Sequence, residues 1–137
     1  MRSGRSWVTM MSDIPFKGRV IGFEEREKYA LQDAFGPDSP FRLLRCLDSG
    51  ISFLVVNPFS VVEEYTFDVE DDAIRALSLT EGGIEHLAVL CIARREKETL
   101  YVNLRSPLLV NTEKGIFLQV ILPNEGYQVS ASVAIKP

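Results

Sequence analysis

Short runs of alternating apolar and polar residues, each closed by a turn signal, constrain this chain more than any other feature. In YQVSASVAI, Tyr127, Val129, Ala131, Val133 and Ile135 share one face and Gln128, Ser130 and Ser132 the other. In TLYVNLR, Leu100, Val102 and Leu104 oppose Thr99, Tyr101, Asn103 and Arg105. Period two is the signature of a half-buried strand. IFLQVIL sets Ile116, Leu118, Val120 and Leu122 together, and LLVN before it completes a hairpin through TEKG, where Gly115 is free to take positive φ. ISFLVV and LAVLCIA are almost continuously apolar, the pattern of central strands covered on both faces. KYALQDAF and FRLLRCL add two less regular strands.

One helix interrupts the strands. Asp68 is placed to cap VEDDAIRALSL, with Glu70, Asp71 and Asp72 in its first turn, where the helix dipole favours negative charge. Ile74 and Leu77 share its buried side, and Gly82-Gly83 ends the unit. GFEEREKY has room for one further helical turn. The expected fold is all-β and mostly antiparallel: a compact single-domain β-barrel or sandwich with one short helix. Residues 1–12 read as a loosely ordered tail or short strand, and 13–137 as the domain.

At 137 residues the chain is long enough for one real core. No segment approaches the roughly 20 apolar residues of a membrane helix. The opening MRSGRSWVTMMSD lacks a signal-peptide apolar region, so the cytoplasm is the default compartment. Cys46 and Cys91 sit inside apolar stretches and read as buried thiols. The formal net charge of −4 argues against a general phosphate-binding surface and suits a basic protein partner.

Catalytic and cofactor chemistry finds little footing. His86 is the single histidine, and neither cysteine has a metal-ligand spacing near it. On a shared strand, His86 and Cys91 point to opposite faces, which excludes a nucleophile pair. Glu63, Glu64, Asp68, Glu70, Asp71 and Asp72 lack the ligand spacing and turn glycine of a calcium loop, and read as helix capping plus a solvated face. No cofactor, metal or catalytic residue is expected. Arg94, Arg95 and Lys97 are interleaved with Glu96 and Glu98, a solvated loop rather than a basic groove. A protein-binding module survives this elimination best. The alternatives are a small β-barrel that binds RNA or single-stranded nucleic acid, and a small enzyme with an unrecognised site.

An ordered series of motifs goes further: IGFEE at 21–25, SPF at 39–41, FLVVNPF at 53–59, EYTFD at 64–68, NLRSPLLVN at 103–111 and QVIL at 119–122. This series resembles the flagellar assembly factor FliW family over residues 16–127. Two stretches depart from the family's usual pattern. MRSGRSWVTMMSD stands in place of its opening strand and turn, and an alternating apolar segment follows Tyr127 in place of a polar, basic one. The resemblance implies a non-catalytic cytoplasmic regulator that binds flagellin and the basic translational repressor CsrA, which exchange on it, with no direct nucleic-acid or membrane partner.

The dipeptide Asn57-Pro58 ends the run FLVV, since Pro58 cannot donate to a β-ladder and Asn57 suits a turn. Phe59 either folds back as core, the commoner fate, or stays outside as an anchor. Pro107 suits a strand start, and Asn111 the turn before Thr112. Tyr65, Tyr101 and Asn103 lie on the polar side of their runs and are surface candidates. The expected binding surface combines Asn57, Pro58, Phe59 and Tyr65 with Tyr101 and Asn103, rimmed by Glu63, Glu64 and Asp68. A monomer is expected.

Overall fold

A computed structural model describes residues 13–79, 83–123 and 126–134. The expectations for residues 1–12, for Gly82 and for Ile135 lie outside the described residues. Among the described residues there are nine strands: β1 (Asp13–Lys17), β2 (Lys28–Gln32), β3 (Phe41–Cys46), β4 (Ser52–Val56), β5 (Leu87–Glu96), β6 (Thr99–Val102), β7 (Leu108–Asn111), β8 (Ile116–Gln119) and β9 (Ala131–Ala134). One α-helix, α1, spans Asp71–Ala76, and 3-10 turns cover Pro58–Ser60 and Ile84–His86.

The pairings close into a ring in the order β4-β3-β2-β1-β8-β7-β5 and back to β4. The fold is therefore a seven-strand barrel, with β6 and β9 as extra strands leading off β5. Among the described residues every pairing is antiparallel except β1 with β8, a parallel contact at Lys17↔Ile116. The two fully apolar runs are the centre of the architecture, as expected. β4 lies between β3 and β5, and β5 pairs with β7 over Leu87–Leu90, with β4 over Cys91–Ala93 and with β6 over Ala93–Glu96.

Alternation sorts the side chains into an inside and an outside. Phe16, Tyr29, Leu31, Leu44, Cys46, Val55, Leu108, Val110 and Phe117 fill the interior. On the outer face of the wall, Val56, Cys91, Ala93, Leu100, Val102 and Leu104 form a second core. It is covered by the excursion between β4 and β5, through Val61, Val62, Tyr65 and Phe67. A third core lies under α1, where Ala73, Leu77 and Leu79 meet Leu109. Both cysteines are free and buried.

Two close approaches shape the seam between β1 and β8. The Lys17 amide donates to the Gly115 carbonyl at 2.8 Å, and Gly115 turns the β7–β8 hairpin at φ +68°. At Gly18, a Cβ would stand 2.5 Å from the Phe117 carbonyl oxygen and 2.6 Å from its ring, so only glycine fits there.

Four expectations need correction. The strand expected across YQVSASVAI is confined to Ala131–Ala134, because residues 126–130 turn before pairing with β6. β8 ends at Gln119, so Val120 and Leu122 continue as irregular chain, held by the Pro107 and Arg105 carbonyls at 3.1 and 2.8 Å. Asp68 does not cap α1. Glu70 occupies the N-cap position without a side-chain bond, and the helix ends by Leu77 as Ser78 turns to φ 57°, ahead of the two glycines. GFEEREKY forms hydrogen-bonded turns, Phe23 to Val20 and Arg26 to Phe23, instead of helix.

Candidate protein-binding surface

The site begins where β4 stops. The Asn57 amide donates to the Pro40 carbonyl at 3.0 Å, and its side-chain oxygen accepts from the Phe59 amide at 3.0 Å. Pro58 is buried as the first residue of the 3-10 turn, and its carbonyl accepts from the Val61 and Val62 amides. Both punctuation roles read from the sequence are present. Their result is to hold Phe59 outward. Its side chain is 55% exposed, against the expectation of core, and its ring lies 5.8 Å from that of Tyr65. Pro58 shapes this corner from beneath and presents no surface of its own.

Tyr65 is the other reversal. The pattern around it suggested a surface residue, but it is 4% exposed. Residues 61–67 do not pair as a strand, so alternation does not govern which way Tyr65 points. Its hydroxyl donates to the Leu104 carbonyl at 2.6 Å and accepts from the Cys91 thiol at 3.8 Å. Burial raises the Tyr65 phenol above its ordinary range, with Cys91 adding to the effect. Burial likewise pushes the Cys91 thiol up to about 12, which leaves it protonated and unreactive. Phe67 and Tyr127 pack edge-on to the Tyr65 ring at 5.3 and 4.8 Å. Tyr65 therefore supports the surface from below.

Glu63, Glu64 and Asp68 are exposed, as expected of a rim. Glu70, Asp71 and Asp72 further along the same segment are exposed too, so residues 63–72 carry an acidic crest along the chain, in which Asp72 is paired with Arg75. Tyr101 and Asn103 do not join this group. Leu100, Val102 and Leu104 of the same run pack in the core that holds Tyr65, so Tyr101 and Asn103 face the other way. The Arg94 guanidinium stacks over the Tyr101 ring at 4.3 Å, and the Asn103 side chain accepts from the Ser106 amide at 3.0 Å. The structure thus splits the expected surface in two, and the larger part runs from Asn57 to Asp68.

Sequence reasoning missed the part played by Tyr127. Its hydroxyl accepts from the Thr66 amide and donates to the Thr66 carbonyl, both at 2.9 Å, which fixes the excursion against the C-terminal segment. It also saw Asn111 only as a turn residue. Asn111 is 1% exposed, donates to the Leu77 carbonyl at 2.7 Å and accepts from the Glu113 and Lys114 amides, tying α1 to the β7–β8 hairpin. No local pattern announces either long-range bond.

Among the described residues, no three His, Cys, Asp or Glu side chains converge as a cation site requires. His86 sits 3.6 Å from Glu85 and 3.7 Å from Glu113, a partly exposed ion-pair position when the imidazole is protonated. No helix among the described residues is long and apolar enough to cross a membrane.

The family model described as "FliW protein" matches residues 2–133. The chain belongs to the FliW family. It is thus a flagellar assembly factor of a non-catalytic family. Among FliW relatives, the "Flagellar assembly factor FliW" of Desulfitobacterium hafniense is 33% identical over 129 residues, covering 93% of this chain and 84% of that one. The protein of the same description from Ruminiclostridium cellulolyticum is 28% identical over 117 residues, covering 85% and 79%. A crystal structure of the flagellar assembly factor FliW superposes with a TM-score of 0.75 at 26% identity, covering 92% of this chain and 86% of that one.

Proposed function

We propose that this chain works in the cytoplasm as a binding switch that takes up flagellin and sequesters CsrA, so coupling flagellin synthesis to flagellum assembly. The observation that carries the reading, given the family, is the exposed Phe59 ring, presented from a hydrogen-bonded turn on the segment that also carries exposed carboxylates. An aromatic on a backbone already ordered by the turn supplies affinity without further ordering of the main chain. The carboxylates at Glu63, Glu64 and Asp68 steer a basic partner and set its approach rate. The outward Tyr101 and Asn103 form a second, separate contact area on this reading. Size-exclusion chromatography of the purified chain with CsrA and with flagellin tests it. Co-elution with each partner, and displacement of one by the other, is the expected result. Passage of both partners unbound refutes the switch, and retention of single-stranded RNA instead selects the nucleic-acid alternative.

A further inference from the structure

Below the acidic crest a groove runs between two walls. One wall is Thr66–Glu70, and the other is Leu122 with Pro123. Together they line a hollow of about 390 Å³. A smaller hollow of about 60 Å³ shares Asp68, Glu70, Leu122 and Pro123 and reaches Val69, Ala73, Val120 and Ile121. The smaller hollow is mainly apolar and the larger one more polar, with Asp68 and Glu70 exposed on the rim. Ile121 stands 63% exposed beside it. Both walls are fixed in advance: Thr66 by the Tyr127 hydroxyl, and Leu122 by its amide bond to the Arg105 carbonyl at 2.8 Å. A preformed groove loses little ordering entropy when it is filled.

We propose that this groove receives a cationic segment of a partner protein, with an apolar side chain seated between Phe67 and Leu122 and a Lys or Arg beside Asp68 and Glu70. The inference rests on the reading of the chain as a protein-binding factor and specifies the chemistry of one contact. Charge selects the occupant. The crest carries Asp68, Glu70, Asp71 and Asp72, and its nearest cation in sequence, Arg75, is already paired with Asp72. Arg105 approaches the Leu122 wall, but its Nε is turned to the Leu122 carbonyl at 3.4 Å, so the exposed carboxylates at Asp68 and Glu70 set the sign of the rim. A hydrophilic cation leaves the smaller, apolar hollow unfilled.

The test uses a capped twelve-residue peptide carrying two leucines in a Lys/Ser background. One control replaces its leucines by serine, and another replaces its lysines by serine. Calorimetry at low salt and an amide NMR spectrum give the readouts. The parent peptide is expected to bind with shifts at Phe67, Asp68 and Leu122, and both controls to bind weakly. Asp68→Lys and Ile121→Ser should each weaken binding about tenfold, while Glu25→Lys, the same charge change on the β1–β2 loop, should alter it by no more than about twofold. Equal effects of Asp68→Lys and Glu25→Lys, or full binding by the leucine-free peptide, overturn the groove in favour of bulk charge. Chromatography with whole CsrA and flagellin separates the two claims. If they bind and the peptide does not, the groove falls alone; if neither binds, the switch falls with it.

Discussion

The Tyr127 hydroxyl clamps Thr66 from both sides of one peptide unit, accepting from its amide and donating to its carbonyl at 2.9 Å each. Thr66 lies in an excursion that has no strand partner, so this clamp replaces a β-ladder. Tyr127→Phe keeps the ring against Tyr65 and removes both bonds. The expected cost is about 1 kcal/mol, because the freed groups can reach water. Faster hydrogen exchange at Thr66, with the barrel amides unchanged, is the measurement that checks it.

Tyr65→Phe should cost more than Tyr127→Phe. The Leu104 carbonyl that loses its partner lies in the buried outer core. Denaturant unfolding should show a loss of about 1–3 kcal/mol.

Gly18→Ala should weaken barrel closure. The added methyl meets the Phe117 carbonyl and ring, and the carbonyl is backbone that cannot swing aside. A loss of about 1–3 kcal/mol is expected, the usual range for overpacking. Gly22→Ala is the contrasting variant. No atom lies near its Cβ, and its φ of +94° carries only a local conformational cost.

Alkaline pH should destabilise the fold through Cys91 and Tyr65. Both hold their protons more tightly folded than unfolded, the thiol moving from 9.0 up to about 12. Folding therefore retains protons that the unfolded chain releases. Stability is full below pH 9.0 and declines as pH rises toward about 12. Cys91→Ala should flatten this decline while lowering stability at neutral pH. Urea midpoints across the range decide the matter.

Phe59→Ala should leave thermal stability within about 0.5 kcal/mol, since the ring is mostly in water. If Phe59 anchors a partner, affinity should fall by about 1–2 kcal/mol, chiefly through faster dissociation. Glu63→Lys with Glu64→Lys should slow CsrA association at low salt and leave the fold intact. Stopped-flow rates across a salt series separate the two effects.

The strand pattern was legible in the sequence because a strand buries alternate residues. Leu100, Val102 and Leu104, on and just after the extra strand β6, are all buried as their spacing requires. The continuous runs in β4 and β5 announced the two strands covered on both faces. The site was harder to read. Tyr65, expected on the surface, is buried, and Phe59, left open between core and surface, is exposed, because the chain there follows a 3-10 turn and then irregular backbone, which has no period to read. The C-terminal alternation overstated β9 because turn residues 126–130 carry the same composition as a strand. The clamp at Tyr127 joins residues 61 positions apart, a distance at which a single sequence is silent.

The parallel seam sets the order in which the molecule can be finished. β1 through β4 can zip together as a meander of neighbours, but β1 meets β8 only at Lys17 and Ile116. That joint brings together residues 99 positions apart, a long-range closure of the kind that slows folding. During synthesis the early meander therefore waits with an open flank until the ribosome has released the final third. The newborn protein is most exposed to mispairing in that interval, before it can hold any client of its own.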